Sequence, residues 1–143
     1  MTHITVATIL LGSIVKGILM RIFKVTAFDS WAKEESLKDE TLKEAITEIE
    51  KGLVDANLGG HVFKKRVAIP GKGKSSGFRT LIAYKKDNNA FFIYGFAKNV
   101  KANIKDDELK ALKMYAKQLL GYSGEDLDTA VNEGALVEVE DDG

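Results

Sequence analysis

Four cations define the chemistry open to this chain: Lys72, Lys74, Arg79 and Lys98. They fall in a stretch rich in glycine, serine and strand-forming residues. No carboxylate cluster accompanies them. Such a set suits cleavage of RNA without a metal ion. In that reaction the ribose 2′-hydroxyl attacks the adjacent phosphate, so a group must take its proton. The extra negative charge of the transition state must be neutralised, and the leaving 5′-oxygen must be protonated. An arginine offers a fixed, bidentate charge to phosphate oxygens. A lysine crowded by other cations releases its proton nearer neutral pH and can act as base or acid. Positive charge already in place where negative charge develops usually contributes more to such catalysis than any other single effect. The chain has no cysteine, which removes disulfides, thiolate ligands and thiol nucleophiles and is compatible with a reducing cytoplasm. Its only histidines are His3 and His61, too few for a histidine-rich metal site. Neither metal nor cofactor is expected.

Charge mapping sharpens this picture. Net charge is zero over the 143 residues, but it is unevenly distributed. Residues 61–105 carry eleven basic side chains against Asp87 alone, a local charge of +10. Residues 106–143 carry −8 and residues 1–60 carry −2. A basic middle between acidic ends is the pattern of a polyanion-binding face. The plainer alternative is a solvated sheet face balanced by acidic helices.

One motif misleads. Residues 68–75, Ala-Ile-Pro-Gly-Lys-Gly-Lys-Ser, match a relaxed phosphate-loop pattern. That loop works only when it opens a helix whose N–H groups hold the phosphates. Here Phe78-Arg79-Thr80-Leu81-Ile82-Ala83-Tyr84 follows, which reads as a strand, so nucleotide binding is set aside.

The elements around the cations follow from periodicity. Residues 21–25 read as a strand and 28–33 as a short helix. A second helix is expected, capped by Asp39, with Leu42, Ile46, Ile49 and Leu53 as its buried stripe and Gly59-Gly60 ending the segment. Strands are expected at 62–68, 78–85 and 90–96, joined by a 70–77 loop and a turn at 86–89. A third helix spans 106–120, with Leu109, Leu112, Ala116, Leu119 and Leu120 as its apolar side, and a further short helix is expected at 125–133. The tail from Glu138 onward is expected to fray. The result is an α+β fold: a small antiparallel sheet with two N-terminal helices and a C-terminal helix.

Alternation places Arg79, Leu81, Ala83 and Lys85 on one side of their strand and Phe78, Thr80, Ile82 and Tyr84 on the other. Lys98 closes the next, antiparallel strand, so Arg79 should lie near Lys98 and Asn99. Lys72 and Lys74 approach from the preceding loop, making a cationic cup. Lys64, Lys65, Arg66, Asn99 and Lys101 extend it as RNA-binding residues. Tyr84 or Tyr94 is available to stack on a base. His61 is a conceivable proton-transfer group, but a strand-edge position beside Gly60 accounts for it better.

The first nineteen residues stand apart. Ile4–Leu19 is apolar but shorter than a spanning helix and interrupted by Lys16. No cation precedes it and no small-residue cleavage site follows, as a signal peptide would require. Met20 is read as the start of the folded unit, with 1–19 an extension, 20–139 one domain and 140–143 an acidic tail.

Residues 73–84 (Gly-Lys-Ser-Ser-Gly-Phe-Arg-Thr-Leu-Ile-Ala-Tyr) and 91–99 (Phe-Phe-Ile-Tyr-Gly-Phe-Ala-Lys-Asn) resemble the RelE/ParE superfamily, and most closely its HigB-like branch. The likeness spans about residues 20–139. It implies two N-terminal helices packed on a small antiparallel sheet, mRNA cleavage, often at the ribosome in its A site, and silencing by a cognate helix-turn-helix antitoxin in the cytoplasm. It carries Lys72, Lys74 and Arg79 over as phosphate-binding and transition-state residues and Lys98 as a further catalytic cation. Asn99 departs from the arginine that ribosome-dependent members tend to have. Residues 100–105 hold no tyrosine or histidine, so the resemblance assigns no general acid. The ParE branch, which targets DNA gyrase, has fewer basic residues at this cup. A general nucleic-acid-binding module would need the charge alone.

Overall fold

The computed structural model describes residues 20–68, 77–98 and 103–140. Strand β1 (Ile22–Val25) runs directly into α1 (Thr26–Glu34), followed by α2 (Asp39–Glu50). Strands β2 (Ala56–Asn57), β3 (Val62–Val67), β4 (Phe78–Tyr84) and β5 (Ala90–Ala97) come next. Helices α3 (Asp106–Leu120) and α4 (Gly124–Asn132) and strand β6 (Leu136–Glu138) complete the order. The sheet order is β2-β3-β4-β5-β1-β6. The fold is α+β, as expected.

Two expectations about the sheet need correction. It is mixed, because β1 pairs parallel to β5 while every other neighbour is antiparallel. The cause is β5 itself. Its Ala90, Phe91, Phe92 and Ile93 are all buried, so it must be flanked on both edges as well as covered on both faces. Strand β1 fills the second edge, and Phe23 stacks on Phe91 with ring centroids 5.3 Å apart. Nor does the chain fray at Glu138. Residues 136–138 form β6 against β1, and the Val139 N–H donates to the Ile22 carbonyl at 2.8 Å. Arg21 locks that end, donating to both carboxylate oxygens of Glu138 and pairing with Asp128 at 2.9 Å.

Helices α1 and α2 cover one face. The Phe28 ring lies 5.2 Å from Phe92, and Trp31 meets Phe78 edge-on at 5.1 Å. Gly95 is required there, since a Cβ would come within 2.3 Å of the Trp31 ring. Helix α3 packs on β4 and β5 from the other face, and α4 packs on β6. Phe23, Phe28, Phe91 and Phe92 are all fully buried, each contributing roughly 1.5–3 kcal/mol of transfer free energy.

Helix α2 is shorter than its apolar spacing suggests. It stops at Glu50, Gly52 takes φ +83°, and Leu53 is 56% exposed rather than part of the stripe. Gly59-Gly60 is not a helix stop. With His61 it forms three successive left-handed residues (φ 87°, 61° and 63°) turning β2 back into β3.

Candidate nucleic-acid interface

Strand register assembles the site. On β3 and β4, Arg66 stands opposite Arg79 and Lys64 opposite Leu81. On β5, Phe96 stands opposite Arg79 and Tyr94 opposite Leu81. Alternation therefore gathers Lys64, Arg66, Arg79, Leu81, Tyr94 and Phe96 on one face, the face turned away from α1 and α2. Lys64, Arg66 and Arg79, together with Asp55, line a shallow cleft of about 280 Å³.

Two arginines directly across a ladder repel each other. Asp55 offsets one of them. The Arg66 Nε donates to its Oδ1 at 2.9 Å, and the Arg66 backbone N–H donates to its other oxygen. Burial pushes the Asp55 carboxyl up, but these Arg66 bonds outweigh it and hold the group below the usual carboxylate range. The Arg79 Nη1 donates to the Gly77 carbonyl at 3.2 Å. Among the described residues no carboxylate pairs with Arg79, Lys64 or Lys98. Gly77 is also a steric requirement. A Cβ on it would lie 2.2 Å from the Val67 carbonyl oxygen, so any side chain would force β3 and β4 apart where the two arginines meet.

The other expected site residues divide. Lys98 is exposed and comes one position after the Phe78–Ala97 pair. On a ladder continued through it, that position is diagonal to Arg79, about 7–8 Å away. Lys72, Lys74, Asn99 and Lys101 lie outside the described residues.

Lys65 does not face the cleft. It is buried on the α2 side, its ammonium 2.7 Å from Glu48 and donating to the Leu53 carbonyl at 2.9 Å. Its charge is satisfied inside the protein, because it has the opposite strand parity to Lys64 and Arg66. Tyr84 shares neither the face nor the end of Arg79. It sits on the α2 side, edge-on to Phe63 at 6.2 Å, and five residues of extended chain put it roughly 17 Å along β4. Burial, with Glu50 and Asp87 nearby, pushes its phenol up. His61 lies at that same far end, its carbonyl accepting from the Tyr84 N–H at 2.9 Å. The tyrosine on the Arg79 face is Tyr94, half-buried, with its ring 5.9 Å from that of Phe96.

Asp55 was not anticipated. Reading Gly59-Gly60 as a hairpin turn would have paired Ala56 with Lys64 and brought Asp55 beside Arg66. Among the described residues no group of three or more histidine, aspartate or glutamate side chains converges as metal ligands, and no helix is long and apolar enough to cross a membrane.

A family model described as the RelE toxin of the RelE/RelB toxin–antitoxin system matches residues 20–139. No curated protein and no solved structure matches the chain.

Proposed function

The chain belongs to the RelE toxin family, and from that membership we propose that it is a metal-independent endoribonuclease that cleaves mRNA on the ribosome, acts in the cytoplasm, and is held in check by a cognate helix-turn-helix antitoxin. The observation that carries this reading is Arg79: a guanidinium on the sheet face turned away from α1 and α2, beside Arg66 and Lys64, at the end of the sheet where Lys98 emerges, with no carboxylate paired to it among the described residues.

In this reading Arg79 takes the non-bridging oxygens of the scissile phosphate through two parallel N–H bonds. Lys98 adds charge as the transition state forms, and Lys72 and Lys74 complete the ring of cations. One lysine takes the 2′-hydroxyl proton, and a proton passes to the departing 5′-oxygen. Tyr94 supplies a ring on the same face for a neighbouring base. Lys64 and Arg66 hold the backbone that leads into the cleft.

The test is inducible expression of wild type and Arg79→Ala, following growth and mRNA integrity. Arg79→Ala should lose cleavage by a factor of roughly ten to a thousand while its melting temperature is retained. Intact mRNA during wild-type growth arrest would overturn the reading and favour a gyrase-directed toxin of the same superfamily.

A further inference from the structure

A second cationic region lies at the opposite end of the sheet. Helix α3 and the β2–β3 and β4–β5 connections enclose a groove of about 600 Å³, lined by Gly60, His61, Lys85, Lys110, Lys113, Met114, Lys117, Leu120 and Gly121. Three of its lysines recur at i, i+3 and i+7 along one face of α3. That helix has acids only in its first turn, Asp106 to Glu108, so no glutamate or aspartate alternates with them. Among the described residues none of Lys85, Lys110, Lys113 and Lys117 has a carboxylate partner. Like charges at this spacing oppose the helix by a few tenths of a kcal/mol per pair. Met114 stands among them and is 68% exposed, one of two exposed large hydrophobic side chains among the described residues. The floor is bare main chain. Lys113 lies across Gly59 and Gly60, where a Cβ would come within 3.3–3.4 Å of its side chain.

We propose that this groove docks an acidic, amphipathic peptide segment of a partner protein, with an apolar side chain on Met114 and Leu120 and carboxylates on the surrounding lysines. Charge complementarity identifies the sign of the partner. The lining decides its class. A single-stranded nucleic acid is held by successive aromatic platforms for its bases, and this groove is lined by no phenylalanine, tyrosine or tryptophan, the His61 imidazole being its one ring. It offers instead a flexible, polarizable thioether at its centre, a side chain suited to adaptable peptide grooves. The groove is separate from the Arg79 cleft, since His61 and Lys85 lie roughly 17–20 Å along the strands from Arg66 and Arg79. The inference therefore does not depend on the ribonuclease reading.

The chain has three methionines, so its methionine methyl spectrum is simple and Met114 is assigned by Met114→Leu. The probe is a synthetic 14-residue peptide with leucines at i and i+4 flanked by glutamates. Its controls are the same peptide with the leucines changed to serine, and a single-stranded oligodeoxynucleotide of equal charge. The leucine peptide should shift the Met114 methyl saturably. Its Kd should weaken at least about tenfold with the serine peptide, since one buried leucine exceeds the ~1.4 kcal/mol that a decade in Kd represents. A comparable loss is expected for Lys110→Glu/Lys117→Glu, with mRNA cleavage unchanged. An unmoved Met114 methyl, equal affinity for the two peptides, or tighter saturable binding of the oligodeoxynucleotide at that methyl would overturn the proposal. Loss of cleavage in Arg79→Ala bears only on the ribonuclease reading, so the two can fail separately.

Discussion

Lys64 and Lys65 are neighbours of the same type, and the fold uses them in opposite ways. Lys65 is 7% exposed, with its ammonium on Glu48 and the Leu53 carbonyl. Lys64 lines the Arg79 cleft and has no carboxylate partner among the described residues. The same division holds across the sheet. On the α1/α2 face Lys24 is buried between Asp29 and Asp39, at 2.9 and 2.8 Å. On the other face Arg79 donates to a main-chain carbonyl and pairs with no carboxylate among the described residues. Charge on the first face is consumed in holding helices to the sheet. On the second it remains available to a ligand. Strand parity, not residue type, separates the two.

The sharpest way to break this comparison is to truncate the two lysines separately. Lys65→Ala removes the buried ammonium that pairs with Glu48 beneath the sheet. Removing one member of a buried pair typically costs 3–5 kcal/mol, and Glu48 can partly rehydrate, so a loss of about 3 kcal/mol is expected. Lys64→Ala should change stability by no more than about 0.5 kcal/mol. It should instead weaken RNA binding and lower the salt slope by about 0.7, the share of one phosphate contact on a single strand. Urea melts and salt-dependent RNA binding on both variants read the crossover. Equal stability losses would dissolve the distinction.

A smaller effect reads the buried ion pairs of the helix-covered face through pH. Asp29 is buried, and that burial pushes its carboxyl up. Lys24 and Lys33, at 2.9 and 3.0 Å, outweigh it and hold the group below the ordinary carboxylate value. A carboxyl depressed in the folded state stabilises the fold above its unfolded pKa. That contribution disappears as pH falls through the folded value. Melting temperature should therefore drop as pH is lowered below about 4, with Asp55 contributing in the same direction. Asp29→Asn should start lower at neutral pH and fall less on acidification. Parallel wild-type and Asp29→Asn profiles would show that Asp29 has no part in the acid sensitivity.

Much of this was legible from periodicity. Alternation along 78–84 separates Arg79 from Tyr84, and the short turn at 86–89 dictates an antiparallel return. Helix α3 has its expected bounds because its acids mark one end and Gly121 the other. Long-range pairing was not legible. Nothing local in 22–25 or 136–138 says that these segments become neighbours, because their partnership is set by the need of β5 for cover. Asp39 illustrates the limit at the level of one side chain. It begins α2 without capping it and instead reaches Lys24, fifteen residues back. The Lys65 error has a different origin. The same parity rule applied to β4 assigns it correctly once extended to β3.

The subtlest test of the divided sheet is Asp55, the carboxylate that reaches Arg66 beside the Arg79 cleft. Its pair with Arg66 is partly exposed, with 46% of the arginine side chain and 22% of the aspartate accessible. Such pairs contribute at most about 1 kcal/mol, so Asp55→Asn should barely move the melt. The amide oxygen can still accept from the Arg66 N–H, so the β2–β3 corner should hold. If Asp55 merely offsets charge, Asp55→Asn frees Arg66, tightens RNA binding and steepens the salt slope by about 0.7. If Asp55 instead aims the Arg66 guanidinium, binding weakens although the net charge has become more positive. The Arg66–Arg79 repulsion favours the first outcome, because a guanidinium facing another across the ladder gains more from a phosphate than from a fixed direction. Salt-dependent RNA binding of wild type and Asp55→Asn, measured on one RNA, distinguishes the two by sign.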